Sequence, residues 1–167
     1  MGITGTDNYF EDFVIGDRYI HSRGKTVTEM DNVLFTNLSM NTAAGHFDEH
    51  MMSRVQVGSF GLKRVVVGSF TISLVIGLTS EDISENALAD VGLDKLRLRT
   101  PVFHGDTLYA ESEVLDKQET DLFPGAGLVR FGIVGKNQTG AVVFEGERLV
   151  ALKKKAHYLD ADQRFGA

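Results

Sequence analysis

The segment Ser69–Leu78 constrains the fold more than any other part of this chain. Its apolar side chains occur on nearly every side, so a helix here has no polar face and must be buried on most sides. Gly68 and Ser69 form a plausible helix start. An interior strand is the competing interpretation, because the segment is rich in β-branched residues, although its length favours a helix. The apolar run Val65–Leu78 is too short to span a membrane.

The second half of the chain alternates polar and apolar residues with the period of a β-strand. In DTLYAESEVL, every second residue from Leu108 to Val114 falls on one face, namely Leu108, Ala110, Ser112 and Val114. The segments LVRFGIVG and AVVFEGERLVAL predict two further strands, joined across the hairpin turn KNQTG. A fourth strand is predicted from Leu88 to Arg99, ending before Pro101.

Helical signals are confined to the first half. Thr28 and Asp31 resemble a capping box, and Met30, Leu34 and Leu38 then recur every four residues, which predicts an amphipathic helix over about 29–40. Asp48 is placed to cap a short helix through Glu49–Arg54. Helices followed by antiparallel strands predict an α+β fold, with a curved sheet wrapped around the apolar helix.

Composition narrows the classes of protein that fit. A length of 167 residues without repeats or linkers predicts one domain, 1–167. The net charge of −6 argues against nucleic acid as the main partner, because phosphate binding needs a positive surface. The chain has no cysteine, which excludes disulfides and thiolate chemistry. Its first residues, MGITGTDNYFED, lack the features of a signal peptide, so a cytoplasmic protein is expected.

Several motifs in register resemble the MaoC-like dehydratases, relatives of the (R)-specific enoyl-CoA hydratases with a hot-dog fold. The resemblance covers about residues 9–152 and is carried by YFEDFVIGDRY, GKTVTEMD, HFD, VVVGSF, RTPVFHGDTL and KNQTGAVVFEGE. The stretch TVTEMDNVLFTNLSMNTAAGHFD is most similar to the mesaconyl-CoA hydratases, also called β-methylmalyl-CoA dehydratases. The resemblance implies a single hot-dog unit that pairs as a homodimer.

The resemblance also implies site residues. The family's hydratase motif, Gly-Asp-x-Asn-Pro-x-His, pairs a catalytic aspartate with a catalytic histidine, and the histidine position here is His46. The aspartate position is Asn41, and Ala43 and Ala44 replace the Asn-Pro. An amide can orient water but cannot take its proton. We therefore expect His46 to be the acid/base and Asn41 to position the water.

Other residues are expected to assist. Gly68 at the start of the apolar helix is the candidate donor to the thioester oxyanion, where amide N–H groups and the helix dipole act together; a glycine needed only for packing is the alternative. Asp48 and Ser69 are auxiliary candidates, with a helix cap as the alternative role of Asp48. No metal and no cofactor is expected, apart from the coenzyme A that is part of the substrate.

Alternatives to this site stay open. His46 and His50 have the i, i+4 spacing that could hold a metal ion on one helix. Lys153–Lys155, Arg97 and Arg99 fit either a solvated surface or contacts with coenzyme A phosphates. Asp106 is expected to organise a turn.

Three functions follow in order of preference. The first is a hydro-lyase that adds or removes water across the α,β bond of an enoyl-CoA, with a short branched or dicarboxylic acyl group among the candidates. The second is a non-catalytic acyl-CoA-binding subunit, since the motif aspartate is missing. The third is a thioesterase, disfavoured because no Asp or Glu occurs from Ser69 through Ser80.

Overall fold

A computed structural model of the protein describes residues 8–54 and 61–158. It contains one antiparallel sheet of six strands and a long helix packed on that sheet. The strands are β1 (Arg18–Ile20), β2 (Lys25–Thr26), β3 (Ala87–Leu98), β4 (Thr107–Glu119), β5 (Ala126–Asn137) and β6 (Val142–Lys153). The helices are α1 (Glu29–Leu38), α2 (Ala44–Phe47), α3 (Glu49–Met52) and α4 (Gly68–Ile83), with a 3-10 turn at Phe10–Asp12. The predicted α+β class is confirmed. The predicted single domain 1–167 also includes residues 1–7, 55–60 and 159–167, which lie outside the described residues.

The sheet has the strand order β1-β4-β5-β6-β3, and β2 pairs with β4 beside β1. The four long strands agree with those predicted from the sequence, and the hairpin between β5 and β6 lies at KNQTG as expected. Asp106 organises a turn, as predicted, by accepting hydrogen bonds from the Phe103 amide (2.8 Å) and the Gln138 side chain (2.8 Å). Among the strands in the described part of the chain, β3 pairs with β6 alone, so it forms an edge of this sheet.

Helix α4 is the apolar element that the sequence predicted, and the strand interpretation of this segment is wrong. It extends beyond the predicted end at Leu78, to Ile83. Its buried residues Val75, Leu78 and Ile83 share one core with the sheet. On β4 the predicted alternation is confirmed, since Leu108, Ala110, Ser112 and Val114 are all buried.

Helix α1 begins with the predicted capping box. The Asp31 amide donates to the Thr28 hydroxyl (3.2 Å), and the Thr28 amide donates to the Asp31 carboxylate (2.8 Å). The stripe that predicted the helix is nevertheless exposed, at 71% for Met30, 54% for Leu34 and 76% for Leu38. The fully buried side chains of this helix are Asn32 and Thr36. The apolar stripe of α1 therefore faces away from the core of this chain.

The described helices do not meet the requirements of a membrane-spanning helix. Across residues 8–54 and 61–158, no helix combines the length and the apolar character needed to cross a bilayer.

Candidate active site

His46 lies on the short helix α2 and is held by a hydrogen bond through its ring. Its Nδ1 is 2.9 Å from the backbone carbonyl oxygen of Val65. A carbonyl can only accept, so Nδ1 carries the proton and the lone pair of the neutral ring is on Nε2. The Val65 amide donates in return to the Gly45 carbonyl (3.1 Å), which ties the two segments together. The imidazole is thus oriented as a base through Nε2.

His46 lines a cavity of about 320 Å³ at the N-terminus of α4. The lining is mostly apolar with a few polar groups, a composition typical of small-molecule sites. Its residues are His46, Val65, Val66, Gly68, Thr71, Leu98, Arg99, Thr100, Pro101 and Val102. The structure therefore brings the predicted base and the predicted oxyanion residue to one cavity.

The N-terminus of α4 supplies donors to this cavity. Gly68 is the first residue of the helix, and the preceding Val67 makes no side-chain cap. The first amides of a helix have no partner within it, and the dipole of a 16-residue helix places partial positive charge there. A Cβ on Gly68 would collide with the side chain of Leu98, another lining residue. The amide N–H groups at the start of α4 and the helix dipole can stabilise negative charge on an oxygen bound beside Gly68.

The remaining predicted residues lie elsewhere among the described residues. Ser69 and Asp48 are exposed and do not line the cavity. The Asp48 carboxylate accepts from the Met51 amide (2.8 Å) and caps α3, which is the structural role weighed above. Asn41 is half-buried, and it too is absent from the lining.

Asn41 closes helix α1. Its amide donates to the Thr36 carbonyl (3.0 Å), and the Met40 amide donates to the Asn37 carbonyl (3.2 Å). Met40 has φ of 58°, so this ending is a Schellman motif with a methionine in the left-handed position. This Schellman motif therefore fixes the backbone position of Asn41 immediately after α1.

The helical spacing that suggested a metal site at His46 and His50 is not present in the structure. Asp48 separates α2 from α3, so His46 and His50 are not on one continuous helix. His50 Nε2 instead lies 3.1 Å from the guanidinium of Arg54. Within residues 8–54 and 61–158, no three His, Cys, Asp or Glu side chains are arranged to hold a metal ion.

Two buried residues near the site were missed by the sequence analysis. Asn32 contacts the backbone at both His46 and Val67, and Arg64 pairs with Glu29 and Glu49. Asn32 had a detectable signal: Asn32 and Thr36 are helix-disfavouring residues spaced i, i+4 inside a helix, which indicates that this face contacts something polar. For Arg64 the sequence held no comparable signal.

Arg64 shapes the electrostatics beside the cavity. Burial lowers the pKa of His104, and the neighbouring Arg64 charge lowers it further. Among the described residues, His104 Nε2 is buried without a hydrogen-bond partner. Arg64 donates hydrogen bonds to Glu49 and Glu29, which raise the pKa of its guanidinium, so Arg64 stays charged beside His104.

Basic residues considered for phosphate binding differ in their surroundings. Lys154 pairs with Glu119, and Lys155 pairs with Asp12. Arg99 lines the cavity, and its side chain is half-exposed while contacting Glu145 at 2.7 Å. Arg97 is exposed and donates to the Leu96 carbonyl. Arg99 is thus the basic residue of this group that lies at the cavity.

A larger groove of about 600 Å³ lies elsewhere on the sheet, where the outward face of β4 contributes Glu111 and Glu113. Its four glutamates pair with basic side chains, for example Arg18 with Glu113 (3.0 Å) and Lys136 with Glu111 (2.6 Å). None of the predicted site residues lines it. The smaller cavity, which brings His46 and Gly68 together, is therefore the better candidate for an acyl-CoA site.

Comparison with known proteins decides the family. The model of the MaoC like domain matches residues 12–130. The chain belongs to the MaoC-like domain family. It is 35% identical over 154 residues to β-methylmalyl-CoA dehydratase of Chloroflexus aurantiacus, covering 91% of this chain and 42% of that protein. It is also 35% identical over 134 residues to mesaconyl-CoA hydratase of Cereibacter sphaeroides, covering 80% of this chain and 36% of that protein.

The chain spans about two fifths of the length of these two curated relatives. A conserved hypothetical protein of Mycobacterium tuberculosis with a double hot-dog fold superposes with a TM-score of 0.79 at 19% identity. That match covers 90% of this chain and 45% of the other. The predicted hot-dog fold is confirmed.

Proposed function

We propose that this MaoC-like chain is a hydro-lyase that adds water to, or removes it from, the α,β bond of an enoyl-CoA thioester. The observation that carries the proposal is the placement of His46, whose Nδ1–H donates to the Val65 carbonyl, in one cavity with the N-terminus of α4. Relatives named as a β-methylmalyl-CoA dehydratase and a mesaconyl-CoA hydratase support the same class of reaction. Their names favour a short, branched, dicarboxylic acyl group.

The proposed chemistry uses one base and one oxyanion site. Nε2 of His46 takes a proton from water while the water oxygen bonds to the β-carbon. The electrons of the double bond move toward the thioester, whose oxygen gains negative charge beside the Gly68 amide. The imidazolium then returns its proton to the α-carbon, and the neutral enzyme is restored. Dehydration follows the same steps in reverse.

Asn41 keeps a supporting role in this proposal. An asparagine carbonyl can accept a hydrogen bond from the attacking water but cannot remove its proton. This role rests on the sequence motif, because the Asn41 side chain does not line the cavity of the described chain. Ser69 contributes through its backbone amide, which belongs to the same helix start as Gly68. No resident cofactor takes part, and Arg99 is the proposed contact for an anionic group of the substrate.

The proposed assembly is a homodimer. Strand β3 is a 12-residue sheet edge with exposed apolar side chains, among them Leu88, Val91, Leu93 and Leu98. Such edges pair with other strands unless they are protected. The exposed stripe of α1 adds Met30, Leu34 and Leu38 to the uncovered apolar surface. A second copy would supply the second unit of a double hot-dog arrangement.

The cytoplasmic location stays a prediction of the sequence alone.

Thioester hydrolysis is the weaker enzymatic alternative. The acidic residues of α4 are Glu81 and Asp82, about 20 Å along the helix from Gly68 at 1.5 Å per residue. Both are engaged, Glu81 with Arg23 (2.7 Å) and Asp82 with His21 (2.5 Å). They are therefore unsuited to activate water at the cavity.

One assay separates the candidate functions. The protein is mixed with crotonyl-CoA or with mesaconyl-CoA, and both enoyl absorbance and free thiol are followed. Loss of absorbance without thiol supports the hydratase, whereas release of thiol identifies a thioesterase. Retained binding of the thioester without either signal identifies a non-catalytic acyl-CoA-binding subunit.

A further inference from the structure

Asn32 is a fully buried polar side chain that joins the two halves of the candidate site. Its Nδ2 donates to the backbone carbonyl of His46 (3.0 Å), and its Oδ1 accepts from the backbone amide of Val67 (3.0 Å). The orientation of the side-chain amide follows from its partners, since a carbonyl only accepts and an N–H only donates. One side chain thus contacts both the residue that carries the base and the N-cap of α4.

The same region contains a second connection between these segments. The Nδ1–H of His46 donates to the Val65 carbonyl, and the Val65 amide donates to the Gly45 carbonyl. Those two bonds hold the imidazole against residue 65, three residues before α4, and do not contact the N-cap itself. Asn32 does contact the N-cap, because its partner Val67 immediately precedes the oxyanion residue Gly68.

A purely structural role for Asn32 is the competing explanation. Thr36, on the same helix, is an example of a buried polar residue with such a role. Thr36 is four residues further along α1 and is also fully buried. Its hydroxyl donates to the Val33 carbonyl within its own helix, at 2.9 Å. Both residues are therefore buried on the same face of α1, but it is the Asn32 side chain that bonds to His46 and Val67.

We propose that Asn32 is a positioning residue that fixes the separation between the His46 imidazole and the oxyanion donors at the start of α4. This inference rests on the proposed hydro-lyase function. The base acts at the β-carbon and the donors act at the thioester oxygen, so both must be correctly placed on one rigid enoyl group. Small displacements of positioned groups cost large factors in rate.

The test compares Asn32→Leu with Thr36→Val. Asn32→Leu keeps a similar volume and removes both hydrogen bonds, and we expect kcat for crotonyl-CoA hydration to fall by about tenfold or more with little change in KM. Thr36→Val removes a buried hydroxyl from the same helix face and should keep kcat within about threefold of wild type, even where it lowers stability. A folded Asn32→Leu protein with wild-type kcat would overturn the proposal, as would an equal loss of kcat in Thr36→Val.

A second readout works without any activity. In ¹⁵N-histidine spectra, assigned with His46→Gln, wild type should show His46 as the Nδ1-protonated tautomer. Because Asn32→Leu frees the His46 backbone carbonyl, we expect it to shift the His46 ring resonances, which report the Nδ1 bond to the Val65 carbonyl, whereas Thr36→Val should match wild type. If wild type does not hydrate enoyl-CoA, the proposed function fails, while an unchanged His46 signal in Asn32→Leu refutes the positioning role by itself. Should Asn32→Leu not fold, Asn32→Asp replaces it, because it keeps the acceptor for Val67 and removes only the donor to His46.

Discussion

The imidazole of His46 donates through Nδ1 to the carbonyl oxygen of Val65, at 2.9 Å. Val65 precedes the start of α4 by three residues, so the bond connects the proposed base to the segment that leads into the oxyanion donors. The family motif identifies the histidine, but only the fold supplies its partner. This relationship determines which ring nitrogen is available for chemistry.

The Gly68 position offers a test of the oxyanion role. Gly68→Ala adds a Cβ that meets the Leu98 side chain and approaches the space where a thioester oxygen would bind. We expect kcat/KM to fall by about tenfold or more, as for the loss of an oxyanion contact. The measurement is steady-state hydration of crotonyl-CoA.

The control for this substitution is the double variant Gly68→Ala/Leu98→Ala. It removes the collision with Leu98 but keeps the Cβ at the helix start. Full recovery of activity would mean that the glycine serves packing alone, whereas a loss greater than that of Leu98→Ala alone supports close approach of the substrate to Gly68.

The capping box of α1 makes the stability depend on pH. Burial alone would raise the pKa of the Asp31 carboxyl, but hydrogen bonds from Thr28 and Lys25 lower it to about 2. Because the pKa of this carboxyl is lower in the folded than in the unfolded state, its ionisation stabilises the folded protein at pH values above the unfolded pKa near 3.8. This contribution is lost as the pH falls toward 2. We expect Asp31→Asn to lower the free energy of unfolding by about 1 kcal/mol at pH 7. Urea titrations at several pH values should show the difference shrinking below pH 4. A difference that is constant from pH 7 to pH 3 would contradict this.

The Schellman ending of α1 is strained at Met40. Its φ of 58° lies in the left-handed region, and its side chain is 86% exposed, so little packing compensates the strain. Met40→Gly should raise the free energy of unfolding by about 1 kcal/mol. Ser39→Gly is the matched control, because Ser39 has helical φ and ψ, and its replacement should lower stability. Chemical denaturation of both variants measures the effect, and a less stable Met40→Gly protein would refute it.

The exposed apolar side chains of β3 predict self-association. The wild-type chain should sediment as a dimer, and Leu93→Lys should shift it toward monomer by placing a charge on the edge strand. Leu122→Lys serves as the control, since Leu122 is 78% exposed but lies in the connection between β4 and β5. A monomeric wild type at micromolar concentration would exclude the proposed dimer.

Local patterns in the sequence were enough to predict most of the fold. The capping box Thr28–Asp31, the alternation along β4 and the apolar segment of α4 each depend on neighbouring residues, so they can be identified without a structure. The stripe of Met30, Leu34 and Leu38 predicted the helix correctly but not its packing face. Periodicity detects an apolar face without telling whether that face meets the same chain or another one.

The site could be predicted only in part, for a related reason. His46 and Gly68 each occupy a motif position, and the fold brings them to one cavity. Asn32 and the Val65 carbonyl act through contacts between segments 14 to 35 residues apart, and no local pattern encodes such contacts. Asn41 is the opposite case. It occupies a motif position but does not line the cavity of the described chain, so its role stays a prediction.

The proposed role of His46 as the acid/base of an enoyl-CoA hydro-lyase is tested by the rate of crotonyl-CoA and mesaconyl-CoA hydration. The rates are compared for wild type, His46→Gln and His50→Gln, with free thiol followed in parallel. His50 belongs to the same sequence cluster but is exposed and absent from the cavity lining, so its variant should stay near the wild-type rate. We expect His46→Gln to lose about 10²–10⁴ in turnover without release of thiol. A folded His46→Gln protein with turnover within about tenfold of wild type would rule out His46 as the acid/base.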